Sequence, residues 1–149
     1  MTQPKPYRVL VTGSRDWTDR AVIHNALSLY TSADELRQPL TIVHGHCPTG
    51  ADAIADMWCL TRRVTVERHP AKGHPTQDFG PWPGAGPRRN AHMVSLGADV
   101  CLAFLSPCTS SRCRRTGFHY SHGAGSCARL AAAAGITVKP IYASPKDQS

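Results

Sequence analysis

No stretch of this chain approaches the roughly 20 consecutive apolar residues that a membrane-crossing helix requires. The opening segment, Met1-Thr2-Gln3-Pro4-Lys5-Pro6, lacks the apolar core of a secretory signal, so the expected location is cytoplasmic, with no membrane partner. In a reducing compartment the six cysteines are expected to be free thiols. Cys59 and Cys101, set in apolar stretches, read as small core residues. Acidic residues are scarce: 10 Asp and Glu stand against 17 Lys and Arg, a formal net charge of +7 over 149 residues. That balance favours anionic partners, whether phosphate-bearing small molecules or nucleic acid. There is no internal repeat. Neither a GxGxxG nor a GxxxxGK[ST] pattern occurs, which counts against ordinary dinucleotide dehydrogenases and P-loop enzymes.

What is present is an alternation of short β-branched runs with segments of helical periodicity. Strands are predicted at Arg8–Thr12, Leu40–His44, Val64–His69, Val100–Phe104 and Ile136–Ile141. Helices are predicted at Ala21–Tyr30, Thr49–Thr61, Arg88–Leu96 and Gly125–Ala134. Thr18 or Asp19 can cap the first, Thr49 the second, and Gly135 can end the fourth. Residues 70–87 are crowded with Pro and Gly and read as a loop throughout. Five strands alternating with helices predict a single α/β domain over residues 7–142. Its sheet should be parallel, doubly wound and Rossmann-like, with strand order 3-2-1-4-5. Residues 1–6 and 143–149 are expected to be disordered tails, and 105–120 an irregular basic insertion.

In such folds ligands bind past the carboxyl ends of the strands, near the switch between the first and fourth. The segments rich in chemistry do follow strands. After the first come Gly13, Ser14, Arg15 and Asp16; after the second, Gly45, Thr49, Gly50 and Asp52. After the third come Arg88, Arg89 and Asn90; after the fourth, Ser121 and Gly123. Gly13 permits a tight turn and close approach by a ligand. Gly45 and Gly50 offer backbone amides at a helix start, where an anion is favoured. Asp52 either complements that helix dipole or accepts hydrogen bonds from a ribose or base. Arg88 and Arg89 place two cations at the positive end of a helix, unfavourable by up to about 1 kcal/mol each. An anionic ligand would relieve that conflict, although two solvated surface arginines would need none. The small, Gly-rich run from Ser121 to Ser126 can wrap a phosphate with backbone amides.

Taken together, Val11 to Trp17, His44 to Asp52, and Gly86 to Asn90 with Met93 resemble the YpsA-related branch of the SLOG superfamily. The superfamily includes the Lonely-guy phosphoribohydrolases and the Rossmann domain of DNA-processing protein A. The resemblance covers residues 7 to 142 and implies a Rossmann-like fold that binds nucleotides or nucleotide-derived signals. It also implies, for some members, cleavage of an N-glycosidic bond. Arg89-Asn90 with Met93 is similar to the Lonely-guy Arg-Lys pair followed by Met. Ser121-His122-Gly123-Ala124 is similar to part of the Gly-Gly-x-Gly-Thr-x-x-Glu motif. The chain departs from that motif where Ala124 replaces Thr and Cys127 replaces Glu. A thiol cannot reproduce the carboxylate's role toward an oxocarbenium-like state without a strongly lowered pKa.

The favoured reading is therefore a ligand-binding or sensing module for a nucleotide, NAD or an ADP-ribose derivative; no cofactor is identified. The first alternative is a nucleotide N-glycosidic-bond hydrolase using Asp16, Asp52 or Asp78. The second is single-stranded nucleic-acid binding through the loop of Arg112, Arg114 and Arg115. A homo-oligomer stays open. Cys108, Cys113, His119 and His122 form a C-x4-C-x5-H-x2-H set of good zinc ligands, but the spacing is not that of a zinc finger. The favoured expectation for that loop is a mobile basic flap without stoichiometric metal.

Overall fold

The computed structural model describes residues 5–31, 39–108, 113–114 and 119–143. Among the described residues, strands β1 (Tyr7–Gly13), β2 (Leu40–His44), β3 (Thr65–Arg68), β4 (Val100–Leu105) and β5 (Thr137–Tyr142) alternate with four helices. These are α1 (Arg20–Thr31), α2 (Gly50–Arg62), α3 (Ala85–Ser95) and α4 (His122–Ala133). The sheet is parallel throughout and its order is β3-β2-β1-β4-β5, as the alternation predicts. No helix among the described residues is long and apolar enough to cross a membrane. Most of both predicted tails lies outside the described residues, as do Arg112 and Arg115 of the predicted flap.

Strand side chains alternate between two faces, and each face buries a separate core. Val9 and Val11 of β1, Ile42 of β2 and Val100, Leu102 and Phe104 of β4 pack with Ile23 and Leu27 of α1 and with Ala51, Ala55 and Trp58 of α2. Leu10, Val43 and Cys101 point the other way, onto Met93 and Val94 of α3 and Cys127 and Ala131 of α4. Full burial of a side chain such as Ile23 or Leu27 contributes about 1.5–3 kcal/mol. These positions are what hold the helices to the sheet.

The helix ends differ from expectation in instructive ways. Asp19 does cap α1, its Oδ1 accepting from Val22 N–H at 3.3 Å. Thr49 makes no side-chain cap to α2; its hydroxyl donates instead to the carbonyl of Arg15, 2.9 Å away. The third helix begins at Ala85, inside the segment predicted to be loop. Pro87 hides that start in the sequence, yet proline is tolerated in a first turn, where its missing N–H costs nothing. The fourth begins at His122, three residues before the predicted Gly125. It ends with Gly135 at φ +85°, just past the capping Ala134, and Ile136 N–H reaches back to Ala131.

Candidate functional site

Beyond the carboxyl ends of β1, β2 and β4 lies a cleft of about 760 Å³. Its floor is the end of β1. Ser14, directly after that strand, ties the floor to β4: its N–H donates to Phe104 O (2.9 Å), and its Oγ accepts from Ser106 N–H (2.8 Å). This is the switch point at which the chain winds to either side of the sheet.

Eight of the twelve residues predicted to bind ligand line this cleft: Gly13, Arg15, Gly45, Asp52, Arg89, Asn90, Ser121 and Gly123. Asp16 lines it too, whereas Asp78 does not. Four of the twelve are elsewhere. Ser14 is buried beneath the floor as the β1–β4 clasp. Thr49 and Gly50 face a second cavity between α1 and α2. Arg88 is exposed and folds back beside Gly84.

The glycines serve packing more than ligand approach. A Cβ on Gly13 would fall 2.3 Å from the Cβ of Ala51, so its absence lets α2 close on β1. Gly50 is held at φ +77°, and a Cβ there would fall 2.2 Å from Ser14 O. The start of α2 is already used by the protein itself. Ser14 O accepts from Ala51 N–H at 3.2 Å, and the buried Asp52 carboxylate accepts from Cys47 N–H at 3.3 Å. One amide of the helix start is therefore already used from within, with the Asp52 carboxylate in the same turn.

For Arg89 the sequence leaves two readings, a cation at a helix start that an anion relieves or a solvated surface arginine; the side chain is only 6% exposed. Its Nε donates to Asn90 Oδ1 (2.8 Å), and its Nη1 donates to the carbonyls of Gly45 (2.5 Å) and His69 (3.2 Å). A Cβ on Gly45 would fall 2.6 Å from that Nη1, so Gly45 is the seat of the guanidinium. Among the described residues no carboxylate lies within 4.0 Å of Arg89. Its Nη2 makes no hydrogen bond there, and the side chain borders the cleft. Buried guanidinium groups ordinarily have an anionic partner.

On the opposite wall, α4 starts at the cleft with Ser121, His122, Gly123 and Ala124. Its first intrahelical bond runs from Gly125 N–H to Ser121 O, so the preceding amides have no partner within the helix. Cys127 is fully buried, and burial pushes its thiol above the ordinary range. A buried neutral thiol supplies no charge to the cleft.

The sequence reading missed Trp82, which lines the cleft while 55% exposed. The signal was available: a single large aromatic in a Pro- and Gly-rich segment that follows a strand. Behind this wall runs a chain of hydrogen-bonded imidazoles. His74 Nδ1 accepts from the backbone N–H of Thr76, so its Nε2 donates to His69 Nδ1 (2.9 Å). His69 Nε2 in turn donates to Glu67 (2.8 Å). Hydrogen bonds from Arg8 chiefly, and from His69, hold the Glu67 carboxyl down at about 2 against the opposing effect of burial.

A model of the YspA, cpYpsA-related SLOG family matches residues 7–74, which contain the β1 and β2 loops that build the floor. The chain is also 48% identical over 107 residues to the Gene 61 protein of Mycobacterium phage D29, covering 65% of this chain and 75% of that protein. This chain belongs to the YspA, cpYpsA-related SLOG family. No solved structure matches it. SLOG membership points to nucleotide-related binding or a phosphoribohydrolase-like role. The match ends before α3, so the Arg89 seat and the β4–α4 wall rest on this chain's own geometry.

Proposed function

We propose that this SLOG domain binds a phosphate-bearing, nucleotide-derived small molecule in the cleft, as a ligand-binding or sensing module. The observation that carries the reading is the buried Arg89 guanidinium, held by carbonyls and an amide and without a carboxylate partner among the described residues. An anionic group at its Nη2 would supply the missing countercharge, and charge-assisted bonds of this kind are the strong ones. The first-turn amides of α4, without a partner within the helix, would meet the same or a second phosphate from the other wall. Trp82 gives the rim an exposed aromatic face for a base. Asp52 would accept from a ribose hydroxyl.

Calorimetric titration with nucleoside monophosphates, cyclic nucleotides, NAD and ADP-ribose tests this. At least one should bind, and Arg89→Met should weaken it by about 10- to 100-fold, the loss of one charge-assisted contact. No binding by any of them, or equal affinity in the variant, would sink the reading.

A second reading is cleavage of the N-glycosidic bond, favoured by two carboxylates, Asp16 and Asp52, on the cleft. Against it stand Ala124 and the neutral, buried Cys127 at the positions that resemble the hydrolase motif. Chromatography of the incubated ligand separates the two: binding without release of free base is expected. Base release abolished by Asp52→Asn or Asp16→Asn would make the protein a hydrolase.

A further inference from the structure

The connection between β4 and α4 brings four soft metal ligands to one point. The sulfurs of Cys108 and Cys113 and a ring nitrogen each of His119 and His122 all lie within 4.8 Å of one another. The backbone places three of the four. Pro107 and Tyr120 form an antiparallel bridge, and Cys108 N–H donates to His119 O at 2.8 Å, which sets Cys108 and His119 side by side. His122 is the first residue of α4. Only Cys113 comes from the loop beyond the bridge.

The spacings are those of a shared ion. Tetrahedral zinc with bonds of about 2.3 Å to sulfur and 2.0–2.1 Å to nitrogen puts neighbouring S and N about 3.6 Å apart. Here Cys108 Sγ is 3.7 Å from His122 Nε2, and Cys113 Sγ is 3.4 Å from His122 Nε2 and 3.1 Å from His119 Nε2. Both cysteines are free thiols. Among the described residues, none of Cys108, Cys113, Arg114 and His119 belongs to an apolar cluster.

The geometry points to a structural zinc site at Cys108, Cys113, His119 and His122. Two thiolates and two imidazoles select zinc over the hard cations Mg²⁺, Ca²⁺ and Mn²⁺. Four protein ligands close the coordination sphere, so the ion has a structural role. Binding releases the two thiol protons, and the resulting site is electrically neutral. Arg114, next to Cys113 in the chain, is therefore no obstacle. Cys108 and His122 also line the cleft, so the ion pins the loop to the first turn of α4 at the cleft wall. The site stands independently of what the cleft binds.

Among the described residues two other groups could hold a cation and serve as controls. His69, His74 and His92 offer three ligands, but His69 already donates to Glu67. His44, His46 and Asp56 offer three, but Asp56 is bonded to Arg68.

The test uses the full chain, produced in zinc-supplemented medium and purified without chelator, with metal measured by elemental analysis. One zinc per chain is expected in the wild type and in His74→Ala, falling to background in Cys113→Ser and His122→Ala. Absence of zinc from the wild type, zinc retained in Cys113→Ser, or zinc lost in His74→Ala with Cys113→Ser unaffected would overturn the proposal. So would a Cys108–Cys113 disulfide found by mass spectrometry of the unreduced protein. Because the variants could misfold, Co²⁺ is also titrated into metal-stripped wild type. A tetrahedral ligand-field spectrum with thiolate charge-transfer bands at one equivalent is expected, and its absence overturns the assignment.

Discussion

The cleft wall made by β2, β3 and α3 and the wall made between β4 and α4 are fixed in different ways. In the first, buried side chains bond to backbone. Arg89 spans the carbonyls of Gly45 and His69, and His69 continues the chain of bonds to Glu67 and Arg8. In the second, the described residues are joined by a short ladder, Ser121 to Ser106 and Cys108 to His119, with four metal-ligating side chains above it. Where a wall rests on the core, polar groups can be buried and ordered by neighbours. Where it extends away from the core, another source of order is needed, and cross-linking through an ion supplies it.

That contrast breaks most sharply at Arg89. Arg89→Met leaves the Gly45 and His69 carbonyls and Asn90 Oδ1 without their donor in a buried setting. A loss of about 1–3 kcal/mol in urea unfolding is expected, far from the neutral effect a surface arginine would give. A loss below about 0.5 kcal/mol would show the guanidinium to be solvated after all. Ser14→Ala should act next, since Ser14 ties the β4 side of the cleft to its floor. Its hydroxyl is the buried acceptor for Ser106 N–H, so a loss of about 1–2 kcal/mol is expected. Hydrogen exchange should quicken at Ser106 and at Ser121, which hangs from it, while β2 amides are unchanged. Equal quickening in both walls would refute this division.

The smallest effect is a pH dependence confined to the first wall. The Glu67 carboxyl sits at about 2 in the fold against 4.5 ordinarily, mainly through Arg8. Its contribution to stability is thus complete above about 4.5 and lost as pH falls toward 2. A third of the side chain is exposed, so solvent screening keeps the contribution modest. Denaturant midpoints measured from pH 5 to 2.5 should fall less steeply in Glu67→Gln. Parallel slopes would assign the acid sensitivity elsewhere.

How much of this the sequence disclosed follows from which signals are local. Strand runs such as Arg8–Thr12 and Leu40–His44 announce themselves through β-branched residues ended by glycine, and strand–helix alternation was enough for the order of the sheet. The carboxyl-edge rule then placed the cleft. What it could not do was say which face of a loop looks inward: Thr49 and Gly50 follow a strand as properly as Gly45 does, yet face another cavity. Composition misled at α3 and α4, whose first turns contain Pro87 and Gly123, residues associated with breaking helices. Arg89 was read from charge alone. Its place one turn before Met93, a core residue, was the available sign that it points inward. The zinc ligands were visible in the sequence, but their unusual spacing gave no geometry until the Pro107–Tyr120 bridge brought the ends together.

The seat of Arg89 also constrains how this protein can diverge. Any residue larger than glycine at position 45 would occupy the space of the guanidinium. An arginine at 89 needs that space and both carbonyls beside it. The constraint runs one way: a side chain gained at 45 demands a shorter or displaced residue at 89, whereas 89 can shorten while Gly45 stays. A lineage that gained a side chain at 45 would give up the buried cation that borders the cleft.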